Sequence, residues 1–158
     1  MTKQAVFHWT MAVVLTLGCL CLPRAAAGEG FPRSWSGKII TSDQPLETSG
    51  GSWGELSKKL IEQDRKGIKA SSERRWDIHF MAFFHQTPPA GKLGVVVFDS
   101  EQDAVSVASI KIGKGQTSMA TTISVNSKPA PGKEHRLEIY YVRDGKPVVL
   151  ARKWLQLK

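Results

Sequence analysis

The chain has 158 residues, 41% of them hydrophobic, with 22 lysines and arginines against 14 aspartates and glutamates and a formal net charge of +8. That length holds one domain with a core of its own, and the basic balance favours anionic partners over cationic ones. The only cysteines are Cys19 and Cys21, which excludes a disulfide-stapled domain and a cysteine zinc cluster in everything that follows them.

Residues 1–27 read as an export signal. Lys3 gives the positive start, an apolar run extends from Ala5 to Leu22, and Pro23-Arg24 breaks it before the small-residue cleavage pattern Ala25-Ala26-Ala27. The run covers 18 residues, the short edge of what crosses a bilayer. A lipidation signal at Leu17-Gly18-Cys19 is poorly met, because Thr16 stands where a large aliphatic residue is usual. Cleavage leaves a thiol-free chain starting at Gly28, with 20 basic and 14 acidic residues and a charge of +6. No later segment is apolar enough to span a membrane as a helix, so the expected location is periplasmic or extracellular.

Gly28–Ser34 reads as a flexible lead-in to a domain over 35–158, with a first strand at Trp35–Thr41 and a polar loop at Ser42–Gly51. Ser52 and Glu55 then form a capping box, and the helix it opens runs over about 53–66. Trp53, Leu56, Leu60 and Ile61 make its apolar stripe, which has to dock on a sheet. Glu55 and Lys59 are spaced to pair, Arg65 and Lys66 suit the helix's negative end, and Gly67 is a natural stop.

From Arg75 the period changes to two. Trp76, Ile78, Phe80, Ala82 and Phe84 define one strongly apolar face; Asp77, His79, Met81 and Phe83 define a mixed one. Thr87–Gly91 turns the chain, and Leu93–Phe98 is apolar throughout, as a central strand is. In Ala104–Ile112, Val105 and Val107 have the opposite parity to Ile110 and Ile112, so a bulge is expected near Ala108-Ser109. Met119, Thr121, Ile123 and Val125 line the next strand, and Asn126–Glu134 is a longer connection. Leu137, Ile139 and Tyr141 alternate with charge, Asp144-Gly145 predicts a two-residue type I′ hairpin, and a last strand covers Pro147–Leu157. About seven strands with short turns predict an all-β fold, an antiparallel immunoglobulin-like β-sandwich with one short helix near its start.

The segments Gly37-Lys38-Ile39-Ile40-Thr41-Ser42, Trp76–Phe84 and Arg143-Asp144-Gly145-Lys146 resemble a group of uncharacterised exported bacterial β-sandwich proteins. The resemblance implies the fold and the cell envelope. It implies no activity.

Gly50-Gly51-Ser52-Trp53-Gly54 matches G-x-S-x-G, but the polar, proline-containing Asp43–Gly50 is no buried strand, and Ser52 is already explained as a cap. Asp99, Glu101 and Asp103 are spaced as calcium ligands in a turn, although Ala104 and Ile110 occupy the positions where an EF-hand needs glycine and glutamate. His79 and Met81 share a strand face with His85 just beyond, a soft set suited to copper. Seven basic residues between Lys58 and Arg75 (Lys58, Lys59, Arg65, Lys66, Lys69, Arg74 and Arg75) are candidates for an anionic surface, and Trp35 and Trp154 for sugar stacking. No nucleophile, base and orienting partner fall together, so neither catalytic residues nor a cofactor are assigned. The expectation is a non-catalytic exported module that binds an envelope protein or an anionic polysaccharide or lipid surface, with no nucleic-acid partner. The alternative is a periplasmic copper or calcium protein.

Overall fold

The computed structural model describes residues 31–72, 74–126 and 133–158. The export signal, the start of the lead-in and most of the Asn126–Glu134 connection lie outside them. Eight strands and one helix follow in chain order: β1 (Ile39–Ser42), α1 (Trp53–Gln63), β2 (Gly67–Ile68), β3 (Trp76–Phe83), β4 (Gly91–Phe98), β5 (Ala104–Ile112), β6 (Ser118–Val125), β7 (Glu134–Arg143) and β8 (Lys146–Leu157). They form a three-stranded sheet, β1-β3-β6, and a five-stranded sheet, β2-β8-β7-β4-β5. These correspond to the A-B-E and C′-C-F-G layers of an immunoglobulin-like sandwich, with β5 kept beside β4. The fold expected from the sequence is the one observed, with one difference: β2 pairs parallel to β8 through Gly67↔Gln156 and Ile68↔Leu157.

The period-two patterns explain the core. Ile78, Phe80, Ala82, Met119, Ile123 and Val125 from one sheet meet Leu93, Val95, Val97, Leu137, Ile139, Leu155 and Leu157 from the other, all buried. Both β-bulges keep apolar residues inward. In β5, Val97 pairs with Ser106 and Phe98 with Ala104, so the extra residue is Val105, not Ala108 or Ser109. Val105 then packs on the core with Ile110 and Ile112, while Val107 is exposed. In β8 the extra residue is Leu150, and it and Ala151 are both buried. The hairpin at Asp144-Gly145 has φ of 51° and 73°, the positive pair a type I′ turn requires.

The helix begins where its cap predicts. Ser52 Oγ accepts the Glu55 N–H at 3.3 Å, and Glu55 Oε2 accepts the Gly51 N–H at 3.0 Å. Lys59 pairs with Glu47 at 3.3 Å, not with Glu55. Trp53, Leu56 and Leu60 dock on the outer face of the three-stranded sheet, against Met81 and Phe83. Ile61 lies about 100° around the helix from Leu60 and is 63% exposed. Trp35, Trp53, Phe83 and Phe31 interlock with ring centroids 5.0–6.5 Å apart, mostly edge to face. Phe31 and Arg33–Trp35, a short 3₁₀ turn, are therefore packed on the domain although they fall at the expected lead-in, and the first strand starts only at Ile39.

The helix ends at Gln63, short of the expected 66, and Gly67 opens a strand instead of closing a helix. The reason is non-local. Arg65 N–H donates to Thr41 O at 2.6 Å, Thr41 Oγ1 donates to Arg65 O at 2.5 Å, and Asp64 Oδ1 accepts the Thr41 N–H at 2.9 Å. Farther on, the N–H groups of Gln156 and Lys158 donate to Lys66 O and Ile68 O. Residues 64–68 thus stitch β1 of one sheet to β8 of the other and close part of the sandwich seam.

Candidate functional site

Where that stitch stops, the seam stays open. β2 covers β8 only at Gln156 and Leu157, so the edge of β8 around Arg152-Lys153 faces β1 across a cleft of about 400 Å³. That is within the size range of small-ligand sites. Trp35, Ile39, Ile40 and Ile61 supply apolar walls; Lys38, Arg152, Lys153 and Asp64 supply charge. Lys153 forms an ion pair with Asp64 and anchors the cleft floor. Lys38 lies with Nζ 5.2 Å from the Trp35 ring centroid, and no carboxylate lies within ion-pair range of it among the described residues.

Arg152 belongs to a second surface as well. Register places Arg152 and Trp154 beside Glu138 and Arg136 on the outward face of the five-stranded sheet. Glu138 Oε1 sits 2.6 Å from Arg152 Nε and 2.9 Å from Arg136 Nε, and Glu138 is buried. The Arg136–Glu138 contact is one of charge without hydrogen-bond alignment, since both atoms are buried with no aligned partner. The Arg136 guanidinium lies between two rings, 4.6 Å from the centroid of Phe98 and 5.5 Å from that of Trp154. Beside this ladder, Tyr140 lies flat on Gly94, where an added Cβ would come within 2.4 Å of Tyr140 Cζ.

No family model matches the chain, and no curated protein does. Solved structures that match include a glycosyl hydrolase family 2 member from Bacteroides cellulosilyticus, at 13% identity and a TM-score of 0.38 over 56% of this chain. Another is a β-glucuronidase from Bifidobacterium dentium, at 8% identity and a TM-score of 0.40 over 74% of this chain. The chain spans 13% and 16% of the length of those two proteins. Their activities are not carried to it.

The structure separates most residues singled out from the sequence. Ser52 is a helix cap separated from the buried strand β1 by the loop 43–51, so it does not stand on a strand-to-helix elbow. Asp99 Oδ1 accepts the N–H groups of Glu101 at 2.8 Å and Asp103 at 3.0 Å, so this carboxylate shapes its own turn. Met81 is buried in the aromatic cluster, His79 accompanies Thr122 at 2.7 Å, and His85 lies beyond the strand end, its Nδ1 2.8 Å from Leu150 O. The H-x-M set is not assembled. Among the described residues, no three His, Cys, Asp or Glu side chains are grouped to hold a metal ion. Much of the basic segment is engaged: Lys59 with Glu47, Lys66 with Glu134 at 3.0 Å, and Arg75 with Asp77 at 2.9 Å. Of the two tryptophans proposed for stacking, Trp35 is buried and Trp154 is 43% exposed. Sequence reasoning missed Lys38, Arg152 and Lys153, which are brought together only by the seam.

A polar cluster occupies the outward face of the three-stranded sheet. Asp77 accepts from Ser124 at 2.5 Å, Ser71 at 2.7 Å and Arg75 at 2.9 Å. Burial opposes ionisation of Asp77, yet these hydrogen bonds and the Arg75 charge outweigh it and hold the carboxyl below its usual range. Burial lowers the imidazole of His79 against the pull of Asp77 and Asp43, and lowers that of His135 against its bond to Lys133 O and the Asp99 charge. Such a polar lattice fixes the sheet.

Proposed function

We propose that this chain is an exported, non-catalytic binding module of the bacterial cell envelope, and that it holds an anionic partner in the seam cleft. The observation that supports this is the charge balance of the cleft and its rim. Lys38, Arg152, Lys153 and Arg136 stand against only Asp64 and Glu138. Cations lining a concave, partly apolar wall lose less to solvent screening than cations on a convex surface. A carboxylate or phosphate entering between Lys38 and Arg152 completes that balance, and Ile61 and Trp35 supply the apolar contact beside it. The reading of residues 1–27 as an export signal supports a location outside the cytoplasm.

Titration calorimetry of the exported form with glucuronate and with inorganic phosphate tests this. Binding of at least one is expected, weakening with salt and falling about tenfold or more when Lys38→Gln and Arg152→Gln are combined. Equal binding by the folded double variant refutes the cleft as the site.

A further inference from the structure

We infer that the anionic partner is an acidic polysaccharide, and that its chain runs from the seam cleft across the outward face of the five-stranded sheet over Trp154. The inference rests on the anion-binding reading of the cleft and extends it to the identity of the ligand. It stands on the continuity of two surfaces through one residue. Arg152 lines the cleft, and Trp154 follows two positions later on the same strand face, about 7 Å away.

Four large hydrophobic residues are exposed among the described residues: Ile61, Val107, Val142 and Trp154. Two of them flank Arg152, Ile61 as a wall of the cleft and Trp154 beyond its rim. An indole that only closed the end of the sandwich core would point inward, as Leu155 beside it does. Trp154 instead stands on the open face, supported by the Arg136 guanidinium at 5.5 Å, which Phe98 backs in turn at 4.6 Å. The plane is therefore held in place before any ligand arrives, which lowers the entropic cost of binding.

A preset aromatic plane next to fixed guanidinium and ammonium groups matches one chemistry closely. The C–H face of a sugar ring packs on the indole, as apolar surface does on aromatic surface, while a ring carboxylate meets Lys38 or the terminal nitrogens of Arg152, whose Nε is held by Glu138. A lipid surface also draws on cations and interfacial tryptophan, but it meets them on a broad convex face rather than along a cleft. Here Lys38 and Arg152 sit at a cleft, and Lys153 is turned into its ion pair with Asp64. The arrangement favours the glycan.

The test uses the exported form and three probes: an oligogalacturonate, its methyl-esterified and therefore uncharged counterpart, and vesicles containing anionic phospholipid. Oligogalacturonate is expected to bind, the esterified chain to bind at least tenfold more weakly, and vesicles not to bind. Trp154→Ala, checked for an unchanged fold by circular dichroism, is expected to weaken oligogalacturonate binding about tenfold, with Trp154→Phe restoring most of it. Oligogalacturonate binding that Trp154→Ala leaves intact overturns the glycan inference, as does binding of vesicles in its place. In both cases the anion-binding reading survives. Failure of the wild-type protein to bind any of these probes, glucuronate or phosphate removes both.

Discussion

Asp64, the residue that caps the end of α1, forms an ion pair with Lys153 of β8 and accepts the Thr41 N–H of β1 through the same oxygen. A helix and one strand from each sheet meet on one carboxylate. Its loss leaves Lys153, only 15% exposed, without its partner. Asp64→Ala is expected to lower stability by about 1–3 kcal/mol, read from the shift of a urea denaturation midpoint at constant slope. A change inside measurement error would mean the seam is held without this bond.

The Gly94–Tyr140 stack carries a different expectation. An alanine at 94 would place its Cβ 2.4 Å from Tyr140 Cζ, so the ring has to leave the sheet surface. Gly94→Ala is expected to cost about 1–3 kcal/mol and to change the near-ultraviolet dichroism of Tyr140. Pairing it with Tyr140→Ala should return part of that loss, because the double variant removes the clash.

Three groups make stability depend on pH in the same direction. His79 and His135 have lowered folded-state values, so the unfolded chain binds protons first, near pH ~6.5. Their contribution is present above that value and is lost as pH falls through the folded-state values. Asp77 is also lowered, so its contribution is present above the unfolded carboxylate value of about 4 and is lost below it. Denaturation midpoints should therefore fall from pH 7 to 5 and again below 4. Asp77→Asn should flatten the second limb and leave the first. A midpoint that rises on acidification from pH 7 to 5 would contradict the burial of the two imidazoles.

Much of this architecture is legible in the residues. Alternation over Trp76–Phe84 and Leu137–Tyr141 marks core-facing positions, and Ser52-x-x-Glu55 and Asp144-Gly145 mark a helix start and a hairpin. What escapes is what depends on partners far along the chain. The helix end is decided by Arg65 bonding to Thr41, which overrides the local signal of Gly67. The β5 bulge falls at Val105 because β4 register decides it; parity alone leaves any position between Val105 and Ile110 open. The cleft escapes for the same reason, since Lys38 and Arg152 meet only when the first and last strands face each other.

Whether anions bind at the seam is decided by amide and indole chemical-shift mapping of the exported form on titration with oligogalacturonate. Binding at the seam predicts saturable shifts confined to Trp35, Lys38–Ile40, Ile61 and Arg152–Trp154, including the Trp154 indole N–H. Shifts centred instead on the Asp99–Asp103 turn or the Asp77 cluster, with these residues unmoved, would contradict it.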